Sequence, residues 1–308
     1  MKRPRFLCIG DVDVDTIVTV ESLPNRDGKI NGRQVARVPG GMAANAAAAL
    51  ARLGAEVRLF GTVGTDEAGE FALASLRRAG VDVSPIISVP GAATFGCISL
   101  ITPEGEKSLV RLVTDTYLPS PDILTADLLA GISHVHTTFG DPALTLRALG
   151  LAAAAEATRS VDLELADLPS DPSLLHKVLT NTDILFCNEA SRSALDAALG
   201  TPATAFGGAI VTTLGSCGSR LEKDETTQEA VSFPVAAVDT TGAGDCFSAA
   251  FLFAAFQQRR SLIDCLTFAN AAAALSTLGY GAQSSLPDST AVDMLIAQHQ
   301  RPVSSQRR

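Results

Sequence analysis

The stretch best suited to chemistry is Val238-Asp239-Thr240-Thr241-Gly242-Ala243-Gly244-Asp245-Cys246-Phe247, where turn residues and two glycines lead into a segment that is apolar nearly all round as far as Phe256. A helix that apolar is buried, which puts its N-terminus inside the protein. The unpaired N–H groups of the first turn and the positive end of the helix dipole then make an anion site. Gly242 and Gly244 let the backbone approach a phosphate closely. Asp245 is the odd residue in such a site, because its charge competes with a bound phosphate. Either it simply favours the helix N-terminus, or it is a general base. A base there would take the proton of an attacking hydroxyl while the amides hold the transferring phosphate.

Two further segments carry polar groups at telling spacings. In Pro39-Gly40-Gly41-Met42-Ala43-Ala44-Asn45, two glycines precede a helical pattern with an Asn in its first turns. That suits backbone and amide contacts to a polar ligand, and a tight turn into an alanine-rich helix explains the same residues. In Gly10-Asp11-Val12-Asp13-Val14-Asp15, three carboxylates alternate after an apolar strand. A continuing strand would aim all three to one side, toward sugar hydroxyls or a cation. No His or Cys joins them in the sequence, so a transition-metal site is not expected. His134-Val135-His136 lacks a third ligand and is not expected to hold a metal. Arg111 could reach an anionic substrate, but a solvated strand face is the expectation. Gly28-Lys29 lacks the P-loop spacing, and no G-x-G-x-x-G follows the first strand, which argues against a dehydrogenase.

The elements that must position these residues alternate in type. Apolar runs at 6–9, 57–60, 132–135, 160–163, 184–187 and 209–212 read as buried strands. Helical patterns fall at 43–53, 67–79, 144–157, 191–199, 246–257 and 262–278, with Gly54, Gly80 and Gly200 placed as left-handed C-terminal caps. Such alternation implies an α/β fold with a mostly parallel sheet covered by helices on both faces. Residues 12–38 and 94–113 break the rhythm, the second around a turn at 103–106. They are expected to form a small second sheet over the C-terminal edge of the main one, where α/β proteins bind ligands. With no repeat and no linker, 1–308 reads as a single domain with that sheet inserted.

Composition narrows the function. Lys and Arg number 24 against 33 Asp and Glu, a net charge of −9, which argues against nucleic-acid binding. The basic end at Gln306-Arg307-Arg308 reads as a frayed terminus. No apolar run approaches the roughly 20 residues of a membrane helix, and the apolar stretch after Met1 is too short for a signal peptide. The six cysteines (Cys8, Cys97, Cys187, Cys217, Cys246, Cys265) lie far apart and read as reduced core residues of a cytoplasmic protein.

Together these segments resemble the ribokinase-like (PfkB) carbohydrate kinases from about residue 5 to 290. Asp-Thr-Thr-Gly-Ala-Gly-Asp at 239–245 is similar to that family's C-terminal motif, and Gly40-Gly41 with Asn45 and the Ala-Arg-Leu-Gly ending at Gly54 to its N-terminal one. The resemblance implies a three-layer fold with a β-sheet lid and an ATP-dependent kinase for a sugar or sugar derivative. It makes Asp245 the base and Gly242, Ala243 and Gly244 the anion hole. Asp13, Asp15, Gly40, Gly41 and Asn45 would hold the sugar, with Asp13 standing where ribokinases carry Asn; a carboxylate cannot donate the hydrogen bond that an amide can. Asn188, Thr213, Gly215, Gly218 and Asn270 would face the nucleotide. Asp239, Thr241, Gly281 and Ser285 would enclose a monovalent cation such as K+. Asn188-Glu189-Ala190-Ser191 has Ser where the family has Glu, which leaves Glu189 to order magnesium through water. Pairing of two lids implies a homodimer. The alternatives on the same fold are a nucleoside kinase of adenosine or pseudouridine type, which would want aromatic surfaces such as Phe95 or Phe139, and a non-catalytic sensor.

Overall fold

In the computed structural model, which describes residues 3–104, 107–169 and 171–300, the apolar runs become strands because each is covered on both faces. The basic tail and, from the expected turn at 103–106, Gly105 and Glu106 lie outside the described residues. The chain begins with β1 (Arg5–Ile9), leaves the main sheet for β2 (Asp13–Val20) and β3 (Gly32–Gly40), and returns through α1 (Met42–Leu53) to β4 (Glu56–Phe60). β5 (Thr62–Gly64), α2 (Glu67–Ala79) and β6 (Ile87–Val89) follow, then a second excursion, β7 (Gly96–Ile101) and β8 (Lys107–Leu112). Strand–helix alternation then runs through β9 (His134–Thr138), α3 (Pro142–Ala154), β10 (Thr158–Leu163), α4 (Pro172–Thr180), β11 (Ile184–Asn188), α5 (Glu189–Leu199) and β12 (Ala209–Thr213). A hairpin of β13 (Ser219–Lys223) and β14 (Thr226–Ala230) precedes α6 (Ala243–Leu252), α7 (Leu262–Ser276) and α8 (Ser289–Gln300).

The main sheet has the order β14-β13-β12-β11-β10-β9-β1-β4, parallel except for the edge hairpin. α1, α6 and α7 pack on one face through Phe6, Phe186, Val211 and the alanines of α1, which let α1 and α6 approach closely. α3, α4 and α5 cover the other through Val161, Leu185 and Ile210. α1, α2 and α5 end at Gly54, Gly80 and Gly200 in the left-handed region, as their sequence implied. The two excursions form a separate sheet, β3-β2-β7-β8, in which β2 and β7 run parallel. This is the α/β architecture with a small second sheet that the alternation implied.

Some elements differ from expectation. β9 starts at His134 rather than 132, because Ile132 is held in a turn by its amide bond to Leu129 O. α6 stops at Leu252 and passes into a wider π-type turn at Phe253–Gln257 instead of continuing as one helix. The edge hairpin and α4 and α8 were not foreseen: β13 and β14 carry Arg220, Glu222, Lys223 and Glu229, and an edge strand needs no apolar run. Five cysteines are buried free thiols, but Cys217 is exposed and is no core residue. No helix among the described residues is long and apolar enough to cross a membrane.

Candidate active site

Two cavities open at the C-terminal ends of the parallel strands. One, of about 390 Å3, lies beneath the small sheet and is lined by polar groups that include Asp13, Asp15, Asn45, Arg111 and Asp245. The other, of about 440 Å3, is mostly apolar, walled by Phe233, Pro234, Val235, Phe247 and Ala274 with Asn270. They share Thr213, Thr240 and Gly244. A molecule in one therefore meets a molecule in the other at the head of α6.

That head is built by backbone conformation. Gly242 adopts φ +73°, and a Cβ on it would lie 2.3 Å from the Ala282 Cβ. Cys246 donates to Gly242 O at 2.9 Å and Ala243 to Thr240 O at 3.2 Å. The Ala243 amide, expected in the anion hole, is thus spent on a turn, while Gly242 and Gly244 line the polar cavity with amides that those bonds leave free. A Cβ on Gly244 would meet nothing within 4 Å, so the space before it is open. Asp245 follows in the first turn, 9% exposed. Its carboxyl is held well above the usual range, by burial first and then by Asp162, with a hydrogen bond from Asn45 opposing and Glu164 and Asp11 adding to the rise.

The N-terminal motif meets this helix from α1. Asn45 Nδ2 donates to Asp245 Oδ2 at 2.8 Å, and Asn45 Oδ1 accepts from Gln283 Nε2 at 3.0 Å. Asn45 lines the polar cavity, and its amide is bonded at both ends, which also orients Asp245. Gln283, to which no role was assigned from the sequence, completes that chain. The three alternating carboxylates do not act alike, because β1 ends at Ile9 and β2 begins at Asp13. Asp11 caps α1, accepting from the Met42 and Ala43 amides at 3.1 and 3.2 Å. Asp13 and Asp15, two apart on β2, do share a side, and both line the cavity. Gly40 is opposite Asp13, and a Cβ there would be 2.2 Å from Asp13 Oδ1 and 2.6 Å from Asp15 Oδ2. Gly41, at φ +96°, begins α1 and lies against Asp11 O.

Arg111 is not on a solvated face. Its side chain donates to Asp167 Oδ1 at 2.9 Å, its guanidinium covers the Tyr117 ring at 4.6 Å, and it lines the polar cavity. Strand alternation in a hairpin cannot reveal that the inner side is the ligand side. Phe95 and Tyr117 line the cavity too, but Phe139 is buried in the core between β10 and α4. Lys107, also on β8, donates to Thr241 Oγ1 and so ties the small sheet to the 239–245 loop. His134 and His136 are buried, with ring nitrogens bonded to the hydroxyls of Thr158 and Ser160.

On the nucleotide side, Thr213, Gly215, Gly218 and Asn270 all line the apolar cavity. Asn270 is committed to structure, donating to Ala230 O at 3.0 Å and Val231 O at 3.2 Å. The wall at 232–237 went unnoticed in the sequence because it forms no regular element. Asn188 caps α5 at 2.8 Å from the Ser191 amide and lines the polar cavity. Glu189 is exposed and lines neither cavity, whereas Asp162, within a run read as a buried strand, and Glu164, just after it, approach Asp245. Burial, with Glu164 adding, raises Asp162 to about 7. At the cation loop, Asp239 accepts from the Thr241 amide and hydroxyl at 2.9 and 2.6 Å and from the Gly281 amide at 2.9 Å. Burial would raise its carboxyl, but these bonds and Lys107 hold it below the usual range. Ser285 turns its hydroxyl toward Ser284 at 3.5 Å.

Known proteins place this arrangement. Residues 3–289 match the pfkB family carbohydrate kinase. The chain is 30% identical over 301 residues to ribokinase of Bacillus subtilis, covering 95% of this chain and all of that one. It is equally 30% identical over 298 residues to an ATP-dependent ribose-1-phosphate kinase of Halopiger xanaduensis, at 96% and 98% coverage. The structure of Arabidopsis thaliana ribokinase complexed with ribose and ATP superposes with a TM-score of 0.82 at 26% identity, covering 96% of this chain and 99% of that one. A single match that spans nearly the whole chain, with two cavities meeting at a glycine-rich helix head, leaves one assignment: the chain belongs to the pfkB family of carbohydrate kinases and is an ATP-dependent sugar kinase.

Proposed function

We propose that the polar cavity holds the sugar and the apolar cavity the adenosine part of ATP, with phosphoryl transfer at Gly244. The observation that carries this reading is the junction of the two cavities at Thr213, Thr240 and Gly244, beside the buried Asp245. Asp245 Oδ takes the proton of a primary hydroxyl as that oxygen attacks the γ-phosphate in line. Its raised pKa makes the carboxylate a stronger base for that proton. Asn45 keeps the carboxylate oriented, and the Gly242 and Gly244 amides receive the charge that develops on the phosphoryl oxygens. The small sheet, 12–38 with 94–113, is the lid of a single kinase unit. Its Lys107 and Arg111 reach Thr241 and Asp167 across the cavity mouth, which keeps water from the phosphoryl group.

Magnesium fits this site by donor chemistry. Oxygen groups of Asp162, Glu164 and Asn188 gather where the phosphates would lie, and the repulsion between the two carboxylates favours a divalent ion. These residues would hold it largely through water, and it would neutralise phosphate charge. Asp239, buried and kept ionised, with the Thr241 hydroxyl beside it, is a hard-oxygen set suited to K+. The lid's exposed Val35, Val110 and Leu112 make a lid-to-lid homodimer the assembly to look for by sedimentation. A nucleoside is disfavoured as acceptor because Arg111 already covers the Tyr117 ring that a base would stack on. The test is ADP release from Mg-ATP with ribose, fructose, 2-keto-3-deoxygluconate, adenosine and pseudouridine, with and without potassium. Turnover only with nucleosides would overturn the sugar assignment, and silence with ATP bound would favour a sensor.

A further inference from the structure

Asp13 and Asp15 sit at the inner end of the polar cavity in a way that one shared charge explains and two do not. They are 4% and 6% exposed. One carboxylate oxygen of each and the Cys97 thiol lie within 4.8 Å of one another, and the carboxylates converge over the bare Cα of Gly40. Two carboxyl groups that close in a buried site cannot both ionise without a large cost.

The groups around the pair decide which one is neutral. On the same segment Asp11 adds negative charge, though its carboxylate is bound to the head of α1. From α6, Asp245 adds more. β3 offers only Gly40, and α1 offers Asn45, whose amide is committed. From β7, Cys97 Sγ donates to Asp13 Oδ2 at 3.5 Å. The positive charges are on β8: Lys107 acts on Asp15 more strongly than Asp11 and Asp239, which oppose it, and Arg111 faces Asp11 and Asp167. Asp13 therefore faces only negative charge, while Asp15 has a cation. Asp13 Oδ1 is buried and has no hydrogen-bond partner among the described residues.

We propose that the Asp13–Asp15 pair holds one proton, that Asp13 carries it, and that the Asp13 carboxyl donates it to an acceptor oxygen of the sugar while ionised Asp15 accepts from a neighbouring hydroxyl. This rests on the reading of the polar cavity as the sugar site. A neutral Asp13 supplies the donor that an Asn would supply at this position, so the departure from the ribokinase pattern preserves the hydrogen bond and adds a switch. Burial, then Asp15 and Asp11, raise Asp13 well above the carboxylate range, and burial, opposed by Lys107, raises Asp15 to about 6. Ionisation of Asp13 replaces a donor by a second negative acceptor and weakens sugar binding without touching the reacting atoms.

The experiment is the pH dependence of KM and kcat for the sugar that gives turnover, in wild type, Asp13→Asn and Asp13→Ala. In wild type, KM rises about tenfold per pH unit once Asp13 ionises, while kcat does not follow. Asp13→Asn keeps a donor at every pH and loses the alkaline rise; Asp13→Ala raises KM throughout. A readout independent of turnover is the infrared difference between wild type and Asp13→Asn at neutral pH, which contains the C=O stretch of a protonated carboxyl. The proposal is overturned by a wild-type KM that stays flat to the alkaline limit of stability, by a rise that persists in Asp13→Asn, or by absence of the protonated-carboxyl band. A stoichiometric metal ion lost in Cys97→Ser would also overturn it, because a cation would then neutralise the pair. If no sugar turns over, the sugar assignment fails, and the infrared band still decides the protonation.

Discussion

Two clusters of buried titratable groups lie a few strands apart and end differently. In the sheet interior His134 bonds Thr158 Oγ1 and Ser160 Oγ at 2.7 Å each, and His136 bonds the same Ser160 hydroxyl at 2.8 Å. At the strand ends Asp13, Asp15 and Asp245 are nearly as buried, yet among the described residues Asp13 Oδ1 has no partner and the Asp245 carboxylate is met by the Asn45 amide alone. Desolvation acts on both clusters, lowering the histidines and raising the aspartates. The histidines are neutral and supplied by their neighbours, so they are part of the core. The aspartates are under-supplied and open to a cavity, which is the condition of groups that await a ligand.

The sharpest way to break this contrast is at Asp245. Asp245→Asn keeps the size and the contact with α1 but cannot take a proton, and it is expected to lower kcat by about 10²–10⁴ with little change in thermal unfolding. Near-wild-type turnover would remove Asp245 as base. Gly244→Val comes next. The Cβ itself meets open space, but the branched carbons would fill the junction between the cavities. The expected loss in kcat/KM is about 10²-fold, with the fold unchanged by circular dichroism; an unaffected KM for both substrates would show that the phosphate passes elsewhere.

Asn45→Leu has a smaller effect and tests whether Asp245 is tuned by its one partner. The Asn45 amide favours the ionised carboxylate, so its removal raises the Asp245 pKa further. The acid limb of the kcat profile, where the base becomes protonated as pH falls, should move to higher pH, and kcat at neutrality should drop on the order of tenfold. An unmoved limb would mean that Asn45 only packs. This contact also marks the limit of what the sequence could reveal. The helix head at 242–245 was legible because glycine spacing and a buried helix constrain the backbone there. Asn45 was legible as a polar residue near a helix start, but not that its partner is Asp245. Arg111 was read as solvated because alternation in a hairpin does not say which face a second layer covers. Asp162 was hidden in a strand pattern, Glu164 follows its end, and 232–237 has no period at all.

The smallest effect on activity belongs to the histidines, and there the prediction concerns stability. Burial lowers His136 from 6.5 to about 4 and pushes His134 down as well, with the repulsion of His136 second. A group whose folded pKa is depressed binds its proton more readily in the unfolded chain. Its contribution is therefore fully present above 6.5 and is lost as pH falls toward the folded value. For His136 alone the loss over that window is about 3 kcal/mol. The buried aspartates, raised in the folded state, push in the opposite direction over overlapping pH values, so the wild-type curve by itself does not isolate the histidines. A chain with His134→Gln and His136→Gln keeps the aspartates and lacks the titration. Urea unfolding from pH 7 to 4.5 should show the wild type losing more stability than the double variant, with the gap closing as pH falls, and kcat at neutral pH equal in both. Parallel stability curves would mean that the imidazoles are not buried as neutral groups. The two clusters would then differ in position and no longer in how far their hydrogen bonds are met.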